Sequence, residues 1–343
     1  MPNEMPEIEV ILHSGALSYG KWGRLFELKL AEYLGKNQIL TVNSFNSAML
    51  VALGVIGINR GDEIIASPMS CLASNQPFAT QGVKVIWADI EPSSGRLSPD
   101  SVRAKITTKT KAIFHNHFCG YPGYIDEINS IGKEHGILVV DDAIEAFGSE
   151  YKGNKLGSTG ADITVFSFQT VRLLNTVDGG AISFKDTALY KKAILIRDYG
   201  IDRTNFRTSN SEINPACDIS VPGFGCTLSE INSYIGCLQL ETIDSLLLIQ
   251  RSNANRWIET LEFDYKNITP MLYDRENRPN FWIFGALSKK KNLHLDKFRL
   301  DGFYASSLHF PNNLYSVFGE KVYLKGVSEF FSKFIALPCG WWK

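Results

Sequence analysis

The chain has 343 residues, 44% of them apolar and 21% charged, enough to bury a large core and add a smaller body beside it. Its 35 Lys and Arg against 36 Asp and Glu leave a formal charge of -1, so no global basic field points to nucleic acid or an anionic membrane. Six scattered cysteines without a CxxC pair argue against a disulfide framework or a zinc site. No apolar run long enough to span a membrane is present, and the acidic start MPNEMPEIEV is unlike an export signal, so a cytoplasmic globular protein is expected.

From about residue 25, helical and strand patterns alternate. LFELKLAEYL has helical spacing and stops at Gly35; QILTVN is a short apolar strand; SAMLVALGVI is a helix ending near Gly57. EIIAS, the helix-like CLASNQPFATQG and KVIWADI come next, then KAIFHNH, the helix YIDEINSIGKEHG, the strand ILVVDD and DITVFSF. Short β-branched runs separated by amphipathic helices predict a mostly parallel sheet between helices. Ligands on such sheets bind beyond the carboxyl ends of the strands, which singles out Asn43, Asp89, His117, Asp142 and Ser167. Residues 200–226 are polar and read as a long loop. The helical LSEINSYIGCLQLETIDSLLLIQRSNANRWIETL succeeds it, and the rest reads as a smaller α/β domain ending in FIALPCGWWK, where Trp341 and Trp342 suit a core or an interface. The expected division is 1–245 and 246–343.

Three segments carry chemistry. In ILVVDDAIEAFG, Asp142 at a strand mouth suits either a helix cap or a carboxylate that pairs with a protonated ring nitrogen. VNSFNSAM, with Ser44, Phe45 and Asn46, suits ordinary capping or a phosphate seat at a helix N-terminus. FSFQTVRLLNTVDGG places Arg172 between a strand end and a glycine pair. His115 and His117, spaced by two, face one side of their strand, but no carboxylate or third histidine lies near in sequence, so no metal is expected.

Together with INRGDEIIASPMSCLASN, VIWADIEPSSGRLSPDSV, ITTKTKAIFHNHFCGYPGYIDEI and GCTLSEINSYIGCLQLE, these segments resemble the DegT/StrS-type sugar aminotransferases nearly end to end. The resemblance implies a fold-type I α/β architecture: a large domain with a seven-stranded-type, mostly parallel sheet, and a smaller C-terminal domain. By position it gives Asp142 to the pyridine nitrogen and Ser167, with Gln169 beside it, to the cofactor phosphate. Glu145 falls where relatives carry glutamine or histidine, and His117 where they carry a histidine. Ser44-Phe45-Asn46 replaces a phosphate-binding Ser-Gly-Thr, and Gly225 and Thr227 replace the asparagine and arginine that a neighbouring subunit supplies. Arg172 replaces the Schiff-base lysine, and a guanidinium neither forms that bond nor gives up its proton.

The resemblance further implies an enzyme of nucleotide-sugar biosynthesis, for surface glycans or deoxy- and amino-sugars. It would act on a nucleotide-linked keto-sugar by pyridoxamine-type dehydration or by a cofactor-free reaction. Two alternatives stay open: an ordinary aminotransferase with a lysine relocated from elsewhere in the fold (Lys155 and Lys185 lie nearby in sequence, neither an obvious substitute), or a non-catalytic binding protein or silent partner subunit of an active homologue. Pyridoxal or pyridoxamine phosphate would be held without a covalent link, if at all. A homodimer is expected, a heterodimer is the alternative, and neither nucleic acid nor membrane is a partner.

Overall fold

The computed structural model describes residues 4–265 and 267–342. In chain order, helices α1 (Ile8–His13) and α2 (Lys21–Leu34) lead into strand β1 (Ile39–Val42) and helix α3 (Phe45–Ile56). Strand β2 (Glu63–Ala66), α4 (Leu72–Thr80), β3 (Lys84–Trp87), α5 (Pro99–Lys105), β4 (Thr110–Asn116), α6 (Ile125–His135) and β5 (Leu138–Asp142) continue the alternation. A small hairpin of β6 (Glu150–Tyr151) and β7 (Asn154–Lys155) precedes β8 (Ile163–Ser167), β9 (Gly180–Phe184) and α7 (Thr187–Arg197). After the polar loop come α8 (Glu230–Asp264), β10 (Ile268–Pro270), β11 (Phe284–Ser288), α9 (Lys291–Leu300), α10 (Lys325–Lys333) and β12 (Phe334–Leu337).

Seven strands form one sheet in the order β1-β9-β8-β5-β4-β2-β3. Only β9 runs against its neighbours, β1 and β8. The expected fold-type I α/β architecture is therefore present, with a three-stranded antiparallel sheet, β10-β11-β12, as its C-terminal companion. Strands β1, β2, β8 and β9 are buried at every position, which is why they read as continuous apolar runs. One core joins the two sheets: Phe118, beyond β4, packs its ring against Phe330 and Phe334 of the C-terminal layer.

Helix α8 is 35 residues long and crosses the expected division at 245 without a break. Its first turn also caps α2. Glycine at the start of α2 offers no side-chain cap, and the buried Glu230 carboxylate accepts the N–H groups of Gly20, Trp22 and Gly23 at 2.8–3.0 Å instead. A negative charge at a helix N-terminus meets both the orphan donors and the macrodipole.

Candidate active site

The carboxyl ends of β4, β5 and β8 deliver the expected residues to one region. Successive strand side chains point to opposite faces, and in register His115 pairs with Asp141 while Asn116 pairs with Asp142. That parity separates the two aspartates.

Asp141 turns to the histidines. His115 Nδ1 lies 3.0 Å from Asp141 Oδ1, and His117 Nε2 lies 3.5 Å from Asp141 Oδ2, all three side chains being fully enclosed. No carboxylate lies near this pair in sequence, and the neighbouring strand brings one in space. Burial would raise the Asp141 carboxyl, but His117 and His115 hold it well below the usual range, while burial lowers His115. An ionised aspartate flanked by the two imidazoles accounts for the geometry. These ligand-type atoms lie within 4.8 Å of one another, a spacing that hydrogen bonding already explains. His117 Nδ1 also accepts the Gly123 N–H at 3.1 Å, so its ring is fixed from two sides.

Asp142 turns the other way. Its Oδ1 accepts the Ile144 N–H at 3.2 Å, and burial pushes its carboxyl up to about 6 against the pull of the Ser74 hydroxyl and that N–H. Glu145, one turn on, is equally buried but charged: Oε2 accepts the Cys119 N–H at 2.8 Å and Oε1 meets His309 Nε2 at 2.8 Å. Burial would raise it, yet His309, Arg172 and the Cys119 N–H bring it below its ordinary value.

Arg172 sits in a loop tied at both ends, where Phe168 donates to Gly179 and Thr176 donates to Phe168. Its Nη1 lies 3.9 Å from Glu145 Oε1, and its guanidinium lies 4.5 Å from the ring centroid of Trp282. Arg172 Nε and Nη1 are buried and have no hydrogen-bond acceptor. Trp282 donates from Nε1 to Val171 O and lies nearly parallel to the His309 ring, at 13°.

At the other end, Ser44 caps α3 by accepting the Ser47 N–H at 3.1 Å, and Ser47 Oγ donates to Asn43 Oδ1. Phe45 is buried in the main core, while Asn46 is exposed. Ser167 is buried and accepts the N–H of exposed Gln169 at 3.4 Å. Gly180 lets β9 approach this turn: a Cβ there would meet Phe166 O at 2.8 Å and Ser44 O at 3.1 Å. Gly225 has a packing reason too, since its Cβ would lie 1.9 Å from the Tyr199 hydroxyl. Thr227 lines a separate cavity of 540 Å³ with Tyr19, Arg24, Arg197 and Arg203.

Asp89 lies apart from these groups; it accepts the N–H groups of Gly326 and Val327 and so caps α10. Lys155 Nζ lies 3.4 Å over the Tyr33 ring, and Lys185 is exposed beyond β9. Among the described residues no lysine contacts Asp142, Glu145 or Arg172. Sequence reasoning missed His309, Trp282 and Asn280. Asn280 donates to the carbonyls of Glu145 and Phe147 and accepts the Trp282 N–H, fastening the C-terminal layer to the site. No local pattern marks these three.

A model of the DegT/DnrJ/EryC1/StrS aminotransferase family matches residues 2–340. The chain is 29% identical over 271 residues to the spore coat polysaccharide biosynthesis protein SpsC of Bacillus subtilis, covering 79% of this chain and 69% of that protein. It superposes on Helicobacter pylori PseC, an aminotransferase involved in the biosynthesis of pseudoaminic acid, with a TM-score of 0.86, 26% identity and coverage of 97% and 90%. The sugar aminotransferase CalS13 of Micromonospora echinospora shares the fold at a TM-score of 0.92 with 24% identity, over 100% of this chain and 93% of that one. No helix among the described residues is long and apolar enough to cross a membrane.

Proposed function

The chain belongs to the DegT/DnrJ/EryC1/StrS aminotransferase family, and from that premise we propose that it acts on a nucleotide-linked keto-sugar by chemistry other than lysine-borne transamination. The observation that carries this reading is the Arg172 guanidinium, buried between Glu145 and Trp282 at the position given to the family's Schiff-base lysine. A guanidinium stays protonated, so it orients and stabilises negative charge but does not attack an aldehyde.

The residues fit the family's cofactor at one end only. Asp142, buried and raised to about 6, suits a protonated ring nitrogen. Arg172 does not suit the aldehyde, and at the α3 N-terminus Phe45 stands where a glycine would let backbone approach a phosphate. Lysine-borne chemistry on pyridoxal phosphate therefore has no support from these residues. Asp142 does favour a second reading, in which pyridoxamine phosphate binds without a covalent link and a sugar hydroxyl is lost. In either case the site is expected to work in a homodimer, or in a heterodimer with a lysine-bearing relative.

Calorimetry of the purified protein with thymidine- and uridine-diphosphate-linked 4-keto-6-deoxyhexoses tests the substrate class. Saturable binding is expected. Failure to bind either one, as homodimer or with a relative present, overturns the proposal.

A further inference from the structure

Glu145 gathers two groups onto one oxygen. Its Oε1 lies 2.8 Å from His309 Nε2 and 3.9 Å from Arg172 Nη1, and its Oε2 is taken by the Cys119 N–H. The carboxylate is held ionised, so the His309 nitrogen facing it carries the proton and donates. In the neutral imidazole this leaves Nδ1 with the lone pair, and no described residue bonds it. A carboxylate behind an imidazole fixes the tautomer and orients the ring, as a general base requires. Two aromatic rings flank it: Trp282 lies nearly parallel with centroids 6.4 Å apart, and Phe118 meets it edge-on at 6.1 Å.

Arg172 supplies the complement. Its Nε and Nη1 are buried donors without acceptors, a costly arrangement unless a ligand oxygen takes them. A base with a free lone pair and a cation with unused donors thus flank one carboxylate oxygen, and among the described residues no lysine contacts it.

Resting on the proposed substrate class, we infer that His309 is a catalytic base, Glu145 its positioning residue and Arg172 the electrophile, for cofactor-free proton abstraction beside the ketone of a nucleotide-linked keto-sugar. His309 Nδ1 takes the proton from the adjacent carbon, and the C–H electron pair becomes the C=C bond of an enolate. The carbonyl π pair moves onto oxygen, where the Arg172 N–H donors meet it. Return of a proton from His309 to the same face of the carbon restores the ketone without inversion. No oxidant, reductant or co-reactant is consumed.

The test is hydrogen exchange into the same two keto-sugars in D2O, followed by proton NMR without added cofactor. The native protein is expected to wash out a proton flanking the ketone at least about 100-fold faster than the buffer does. His309→Asn should fall to the buffer rate. Glu145→Gln keeps an acceptor but loses the charge, and should lower the exchange rate at least about tenfold while moving the dissociation constant far less. Exchange at the buffer rate by native protein that binds the probe overturns the inference and leaves the substrate class standing. Undiminished exchange in His309→Asn overturns the assignment of the base. Absence of any binding overturns the inference and the substrate class together.

Discussion

Asp141 and Asp142 leave β5 on opposite faces and meet opposite environments. Asp141 gains two imidazoles and stays charged; Asp142 gains only burial and weak donors, and its carboxyl rises from 3.8 to about 6. For Asp142 the folded state holds a proton that the unfolded chain has lost above pH 4. Its contribution to stability is present below that pH and is lost as pH rises to about 6. Asp142→Asn removes this dependence, so the variant should gain on the native protein by about 3 kcal/mol between pH 4 and pH 8 in urea melts. Equal pH slopes would contradict the raised carboxyl. His115→Ala takes the nearer of the two rings from the buried Asp141 charge and should cost about 3 kcal/mol in the same assay at pH 7. The doublet was legible as a strand mouth in ILVVDD. Which aspartate faced the histidines was not, because parity depends on how β4 and β5 pair.

At the scale of elements, amphipathic spacing made the sheet and its helices readable, and the terminal glycines Gly35, Gly57 and Gly136 mark their ends. Pro77 inside α4 and the 35-residue run of α8 did not obscure that pattern. Glu230 was hidden: in sequence it is the first residue of a helix, while in space it caps another helix more than 200 residues earlier. Glu230→Ala leaves three N–H groups at the α2 N-terminus without their acceptor and should cost about 3 kcal/mol. Urea denaturation checks this, and a loss under 1 kcal/mol would mean that water replaces the cap.

Across the whole molecule, the C-terminal layer completes the site. His309 reaches Glu145 over 164 positions of chain, and Trp282 covers Arg172 while bonding Val171. Such contacts arise from packing between two sheets, and no spacing in the sequence announces them. Asn312 pins the segment that carries His309, donating from Nδ2 to the carbonyls of Pro68 and Ser70. Asn312→Ala should speed amide exchange across residues 306–314 about tenfold, since one net hydrogen bond is worth about 1.4 kcal/mol there. Unchanged exchange, read by mass spectrometry, would show that apolar contacts alone hold the segment. The family itself was legible because its blocks run in order along the chain. The presence of Arg172 in FSFQTVRLLNTVDGG was equally legible, but its contacts with Glu145 and Trp282 were visible only in the fold.

The proposed chemistry depends on Arg172 standing in place of an aldehyde-binding lysine. The decisive measurement is a visible-range titration of the native protein and Arg172→Lys with pyridoxal phosphate, followed by borohydride reduction and peptide mapping. The variant should develop an absorbance that borohydride fixes at residue 172, and the native protein should yield no phosphopyridoxyl-lysine. A native adduct mapped to any lysine would contradict the account and restore ordinary transamination.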